Sequence, residues 1–163
     1  MAEIKLTRGM VAIVDDADVP LVAGYSWHAK QCKQTFYAEA CPGHNMHILM
    51  HHLIVQLDDG QQCDHEDRNG LNNSRSNLRV ATRSQNARNK RMSRNNTSGF
   101  KGVYFNKHKQ RWQAQIVVNG KRRFLGRFAT PEAGAVAYDV AAKRLHGEFA
   151  ATNADLGYAP KTS

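Results

Sequence analysis

From Arg83 to Arg127 the chain carries thirteen Lys or Arg side chains and no carboxylate, so whatever folds there does so without internal ion pairs to offset its own repulsion. A run of like charge is usually a solvated face or a disordered tail. Here Phe100, Tyr104, Trp112, Ile116, Phe124 and Phe128 interrupt the charges at intervals, which a core needs and a tail lacks. The pattern points to a folded surface that binds a polyanion. The net charge of +9 over 163 residues is accordingly uneven: residues 1–62 hold four basic and seven acidic side chains, the remainder nineteen and seven. The length suits one medium domain or two small ones.

Three regions follow. In the first, Met10 to Val14 reads as a strand, Asp15-Asp16 as a turn and Pro20 to Gly24 as one helical turn. Thr35 to Cys41 and Met46 to Met50 read as strands joined through Pro42-Gly43-His44-Asn45, and His51 to Leu57 as a short helix ending at Asp58-Asp59-Gly60. Cys32, Cys41 and Cys63 form no CxxC pair and their number is odd, which fits a reduced cytosolic chain. Cys41 and His44 offer two metal donors, but a structural zinc site needs four and the rest of the quartet is not evident, so structural zinc is not expected. His28, Cys32 and His44 are read as ordinary partly buried or surface residues.

The second region, Gln61 to Met92, reads as strand, long loop, short strand and helix. Asn69-Gly70 and Asn72-Asn73 suit a loop that visits left-handed backbone. Leu78 to Ala81 is the returning strand, and Thr82 with Gln85 forms a capping box that starts the helix carrying Asn86. Asp64-His65, Asn77 and Asn86 together form the set a metal-dependent nuclease needs. A carboxylate and a second oxygen donor hold the ion, an imidazole activates water, and an amide braces the loop between them. Each residue alone would be a turn or surface residue; their joint spacing carries the reading. Asp and Asn oxygens are hard ligands that suit Mg²⁺ or Mn²⁺. An imidazole with its usual pKa near ~6.5 is partly neutral at cellular pH and can take a proton from water.

Met50-His51-His52-Leu53-Ile54 and Cys63 through Asn86 resemble the HNH endonucleases, in particular the phage and intron-associated branch with asparagine at the third position. The resemblance assigns Asp64 and Asn86 to the metal, His65 to general-base work and Asn77 to bracing the loop. His51 matches a histidine that family members carry before the helix, with no role assigned to it. His52 stands where arginine is usual. The zinc knuckles of some relatives are missing.

The third region follows the polar stretch at 93–99. Lys101 to Phe105, Arg111 to Asn119 and Arg122 to Phe128 read as three strands, with Asn119-Gly120 a hairpin turn. Thr130-Pro131-Glu132 opens a helix as N-cap, first-turn proline and dipole-favouring acid; its small-residue stripe runs through Gly134, Ala137, Tyr138, Ala141 and Leu145, and His146-Gly147 ends it. Gly102-Val103-Tyr104, Trp112 to Ile116, Phe124 to Phe128, Ala137 to Ala142 and Asn153 resemble the AP2 DNA-binding domain, whose sheet enters the major groove. Period-two alternation puts Trp112, Ala114, Ile116 and Val118 on one face and Arg111, Gln113, Gln115 and Val117 on the other. That leaves Lys101, Arg111, Gln113, Gln115 and Arg122 to reach DNA, joined by Phe124, whose ring is as readily assigned to the core. Lys90, Arg91 and Arg94 are read as phosphate contacts.

The expected protein is therefore α+β, a ββα-metal HNH nuclease domain at 1–92 (core 61–92) with a small N-terminal sheet. A linker at 93–99, an AP2-like three-stranded antiparallel sheet packed on one helix at 100–154 and a tail at 155–163 follow. The expected activity is metal-dependent hydrolysis of double-stranded DNA to 3′-hydroxyl and 5′-phosphate ends, as in a phage-type homing endonuclease, with Mg²⁺ or Mn²⁺ as cofactor. Two alternatives are a sequence-specific regulator with an inactive nuclease scaffold and a protein that coats DNA without sequence choice. No protein partner is evident. With neither a signal-peptide pattern nor a span of membrane length, the expected location is the cytoplasm, that of the host cell if phage-encoded.

Overall fold

The computed structural model describes residues 1–33, 35–93 and 95–159; Arg94, read above as a phosphate contact, lies outside the described residues. The fold is mixed α+β, several small antiparallel sheets with few helices. It divides into two compact units, Met1–Asn86 and Ala87–Ser163. Among the described residues no helix is long and apolar enough to cross a membrane.

In the first unit β1 (Ala2–Lys5) pairs antiparallel with β2 (Val11–Val14), and α1 (Val19–Val22) follows. β3 (Trp27–Cys32), β4 (Thr35–Gly43) and β5 (Met46–Leu49) form an antiparallel sheet in that order. One face of this sheet supplies the core: Trp27, Ala29, Ala38 and Ala40 are buried with Val14, Val22, Met50 and Ile54, and Trp27 Nε1 donates to Val22 O at 2.9 Å. Alternation turns His28, Lys30, Tyr37 and Glu39 to the opposite face. β1 and β3 have no counterpart in the sequence reading, because their alternate positions carry Glu3, Lys5, His28 and Lys30 and no long apolar run marks them. α2 (Met50–Ile54) stops three residues short of the expected Leu57, since Val55 is already extended at φ −113° and ψ 118°.

β6 (Gln61–His65) and β7 (Leu78–Thr82) form an antiparallel hairpin in which His65 faces Leu78 and Asp64 faces Arg79. α3 (Arg83–Asn89) follows directly. The capping box forms as expected: Thr82 N donates to Gln85 Oε1 at 2.8 Å and Gln85 N to Thr82 Oγ1 at 3.3 Å. Because the cap sets where the helix starts, it also sets where Asn86 sits.

In the second unit β8 (Val103–Asn106), β9 (Arg111–Val118) and β10 (Lys121–Phe128) form an antiparallel sheet with β9 in the middle. α4 (Pro131–His146) begins with Thr130 Oγ1 accepting from Ala133 N at 3.3 Å. Its buried residues Gly134, Ala135, Tyr138 and Ala142 are small or flat, so the helix lies close over Val103, Ala114 and Ile116. Asn153 ties the end of the unit to its start: its Oδ1 accepts from Lys101 N at 2.6 Å, and its own N–H groups donate to Asp139 Oδ1 at 2.7 and 2.9 Å.

Candidate functional site

Asp64 and His65 end β6, and both are buried, at 4% and 5% exposure. The loop at 66–77 carries the chain from His65 back to β7. Asn77 closes it, accepting from Asp67 N at 3.0 Å and donating to Asp67 Oδ1 at 3.0 Å and Asn72 O at 2.7 Å. The middle of the loop rests on β2, where Ile13 N donates to Leu71 O at 2.8 Å and Asn73 N to Ile13 O at 2.7 Å. Arg75 anchors the far side, its guanidinium donating to Asp18 at 2.7–3.1 Å. Gly70 crosses so near β4 that a Cβ there would lie 2.5 Å from Tyr37 Cδ1. The N-terminal strands thus serve as the platform that holds this loop.

The loop fixes His65 through Asn73, a residue that sequence reasoning treated only as loop filler. Asn73 Nδ2 donates to Leu71 O at 3.2 Å and to Met50 Sδ at 3.4 Å, so its Oδ1 is the atom turned to His65 Nε2, at 3.2 Å. An amide oxygen can only accept. The His65 proton therefore sits on Nε2 and the basic lone pair on Nδ1. Burial pushes the His65 pKa below the ordinary histidine value, with the Asn73 hydrogen bond, Asp67 and Asp64 partly offsetting it. The imidazole is thus largely neutral at pH 7.

His51, left without a role by the sequence, packs edge to face on His65 with ring centroids 4.9 Å apart, and on His52 at 4.5 Å. Tyr37 touches both His51 and His65, with centroids 5.6 Å apart in each case. Burial, with His65 and His52 adding to it, lowers the His51 pKa to about 3. Burial also lowers His52 and raises Tyr37. These rings are neutral near pH 7 and surround the base without competing for its charge. They come from β4 and α2, so nothing in local spacing could have gathered them.

Asp64 accepts from the Arg79 guanidinium, Nε at 2.9 Å and Nη2 at 2.8 Å from Oδ2, a consequence of their facing each other in the hairpin register. Asn86 Nδ2 donates to Gln62 Oε1 at 3.0 Å. Gln62 and Asp64 share one face of β6 by alternation. The helix therefore brings the Asn86 amide to the strand face that carries the Asp64 carboxylate. Of the four expected residues, Asp64 and His65 adjoin, Asn77 spans the loop between them and β7, and Asn86 meets their strand through Gln62.

The open face of the second unit departs from simple alternation. A bulge lies between Phe124 and Gly126 in the β9–β10 pairing, at a glycine with φ 147°, backbone that side chains rarely adopt. Parity flips there, so Arg122, Phe124 and Arg127 pair with Val117, Gln115 and Gln113 and share their face. Arg127 was not expected on that face; Gly126 was the signal for it. Its guanidinium lies 5.8 Å from the Phe124 ring centroid, and Phe124 is 57% exposed. Arg111 is exposed and Gln115 partly so. Gln113 is only 6% exposed, and its Oε1 accepts from Tyr104 Oη at 2.7 Å. Lys101 differs most from expectation: its ammonium donates to Arg88 O and Lys90 O, both at 2.7 Å, which ties down the segment before β8.

Comparison with known proteins finds similarity to both HNH endonucleases and AP2-like proteins. Residues 49–88 match the family described as HNH endonuclease. An uncharacterised HNH endonuclease of Acanthamoeba polyphaga mimivirus is 34% identical over 149 residues, 90% of this chain and 76% of the viral protein. Protein 3.8 of Escherichia phage T7 is 34% identical over 91 residues, 56% of this chain and 74% of the phage protein. An AP2-like ethylene-responsive transcription factor of Arabidopsis thaliana is 43% identical over 61 residues, 36% of this chain and 18% of the plant protein. No solved structure matches the chain. The class defined by these similarities is that of nuclease hydrolases with an AP2-like C-terminal region. The chain belongs to the HNH endonuclease family.

Proposed function

We propose that the protein is a divalent-metal-dependent DNA endonuclease that hydrolyses phosphodiester bonds to 3′-hydroxyl and 5′-phosphate ends, with β8–β10 helping to choose the site on double-stranded DNA. DNA as substrate follows from family membership and from the AP2-like similarity. HNH nucleases in general depend on a divalent metal. Asp64 and Asn86 are the residues that would hold Mg²⁺ or Mn²⁺. They are hard oxygen donors, and Asn86 reaches the strand face that carries Asp64 through its hydrogen bond to Gln62. The donor types therefore fit such an ion, which would share the Asp64 carboxylate with the Arg79 guanidinium. When bound, the ion supplies positive charge to the phosphate and the leaving oxygen.

The chain's own residues do the rest. His65 Nδ1 takes a proton from water, and Asn73 keeps the ring in the tautomer that allows it. Asn77 holds the loop so that Asp64 and His65 keep their places. The observation that carries this reading is the Asn73–His65 hydrogen bond, because it orients a buried neutral base one residue along the strand from a buried carboxylate. Arg111, Gln115, Arg122, Phe124 and Arg127 offer cationic, amide and aromatic groups on one strand-built face, the kind of surface that reads base edges and grips phosphate. Joined to a nuclease, such a face raises the local concentration of the cutting site, as in a phage-type homing endonuclease.

Plasmid nicking with Mg²⁺ tests the proposal. Asp64→Ala and His65→Ala should each slow cutting by at least about 100-fold while DNA binding persists, and the ends should be ligatable without repair. Normal cutting by either variant refutes its assigned role. A wild-type chain that binds a selected duplex but cuts nothing with Mg²⁺ or Mn²⁺ is a regulator on a nuclease scaffold.

A further inference from the structure

Glu39 is 4% exposed, yet it lies on the face of the β3–β4–β5 sheet opposite the apolar core. Three other potential metal donors surround it. His28 faces Glu39 in the β3–β4 register and places Nε2 3.0 Å from Glu39 Oε2. His47, on β5, places Nδ1 3.5 Å from Glu39 Oε1. Cys41, two residues along β4, has Sγ 3.3 Å from His47 Nδ1. The donor atoms of His28, Glu39 and Cys41 all lie within 4.8 Å of one another.

We propose that His28, Glu39, Cys41 and His47 form a second metal site, for a zinc-class transition ion, which staples the three strands and is separate from the nuclease centre. The spacing supports it. Zinc bonds of about 2.0–2.3 Å in a tetrahedron set neighbouring donor atoms roughly 3.3–3.8 Å apart; His28–Glu39 at 3.0 Å, His47–Cys41 at 3.3 Å and His47–Glu39 at 3.5 Å are close to that spacing. The His28, Glu39 and Cys41 donors, within 4.8 Å of one another, form the core onto which His47 closes by turning its exposed ring. The donor types support it as well. One thiolate, two imidazoles and one carboxylate favour a borderline-soft ion over Mg²⁺. The sequence conceals the site because the quartet is gathered by pairing across three strands. His44, the neighbour that made Cys41 conspicuous, takes no part.

A competing arrangement is a hydrogen-bonded cluster in which the Lys30 ammonium, bonded to Glu39 Oε1, balances the carboxylate. The Lys30 side chain is half exposed, so its head can turn to water while its stem stays on the sheet. Binding then releases the Cys41 thiol proton to solvent and replaces one positive charge by two. The site also has a structural consequence. Tyr37, two residues before Glu39 on the same face of β4, touches His51 and His65. A staple at Glu39 stiffens the strand that backs the base.

Cobalt titration of the chelator-treated full-length chain tests the site without any cleavage assay. Co²⁺ alone should give a thiolate-to-cobalt charge-transfer band that saturates at about one equivalent and disappears when Zn²⁺ displaces it. Cys41→Ser should lose the band, and His47→Ala should weaken binding by about 10-fold or more. Cys32→Ser and Asp64→Ala should keep it, which separates this site from the nuclease centre. Zn²⁺ should also raise the thermal midpoint of the wild type more than that of His47→Ala. A wild-type chain without the band, a band that survives in Cys41→Ser, or one lost in Asp64→Ala overturns the proposal.

Discussion

The side-chain oxygen of Asn73 accepts the Nε2 proton of His65 at 3.2 Å, and the Asn73 amide nitrogen is held by Leu71 O and Met50 Sδ. The orientation of the base thus rests on a residue eight positions away in a loop, itself hydrogen-bonded to β2 through Ile13. The loop, the N-terminal strands and the base form one connected unit.

Replacing Asn73 separates orientation from basicity. Asn73→Ala should lower kcat by about 10- to 100-fold with little change in DNA affinity. Asn73→Asp places a carboxylate on Nε2, which stabilises the imidazolium, so the acid limb of the kcat/KM profile should move to higher pH than in the wild type. Identical pH profiles in the two proteins would show that Asn73 has only a structural role.

His51 makes the fold sensitive to acid. Its folded pKa is about 3, against an ordinary value near ~6.5 in the unfolded chain. Below the unfolded value the unfolded state takes up a proton that the folded state refuses, so stability is fully present above about pH 6.5 and is lost as pH falls towards about 3. The loss is about 1.4 kcal/mol per pH unit in that window, roughly 2 kcal/mol by pH 5. Urea unfolding at pH 7.5 and pH 5 should show this loss in the wild type. His51→Gln should reduce it by about that amount; an unchanged loss would trace the acid sensitivity elsewhere.

Arg79 balances a carboxylate that is buried. Arg79→Ala removes a guanidinium that donates twice to that carboxylate and should destabilise the first unit by about 1–3 kcal/mol, less than a fully buried pair because Arg79 keeps some exposure. A divalent ion held by Asp64 can restore the balance. Mg²⁺ should therefore raise the melting temperature of Arg79→Ala more than that of the wild type. Equal shifts in the two proteins would argue against Asp64 as a metal ligand.

The parts of this molecule written in local chemistry were legible in the sequence. Thr82 with Gln85, Thr130 with Pro131, and Asn119-Gly120 each set their elements through contacts a few residues apart, and all three formed. β1 and β3 were not legible, because their outward positions are charged and their apolar residues are few. The candidate site divides in the same way. Asp64, His65, Asn77 and Asn86 stand out by spacing, whereas Tyr37, His51 and Asn73 reach His65 only through the packing of β4, α2 and the loop. The Glu39 cluster depends on strand register. The bulge at Gly126 made alternation fail for Arg127, since one extra residue reverses the face of everything after it.

That reversal gives the second unit its sharpest test. Arg127 pairs with Gln113 and points to the open face, whereas the Lys101 ammonium is held by backbone carbonyls of its own unit. Arg127→Ala should weaken DNA binding by about 10-fold and reduce the slope of log affinity against log salt by about one, as loss of a phosphate contact does. Lys101→Ala should leave that slope unchanged and instead lower the melting temperature, because three nearby carbonyls lose a charged donor. If Lys101→Ala changes the slope and Arg127→Ala does not, the bulge has been given the wrong consequence, and simple alternation describes the DNA face better.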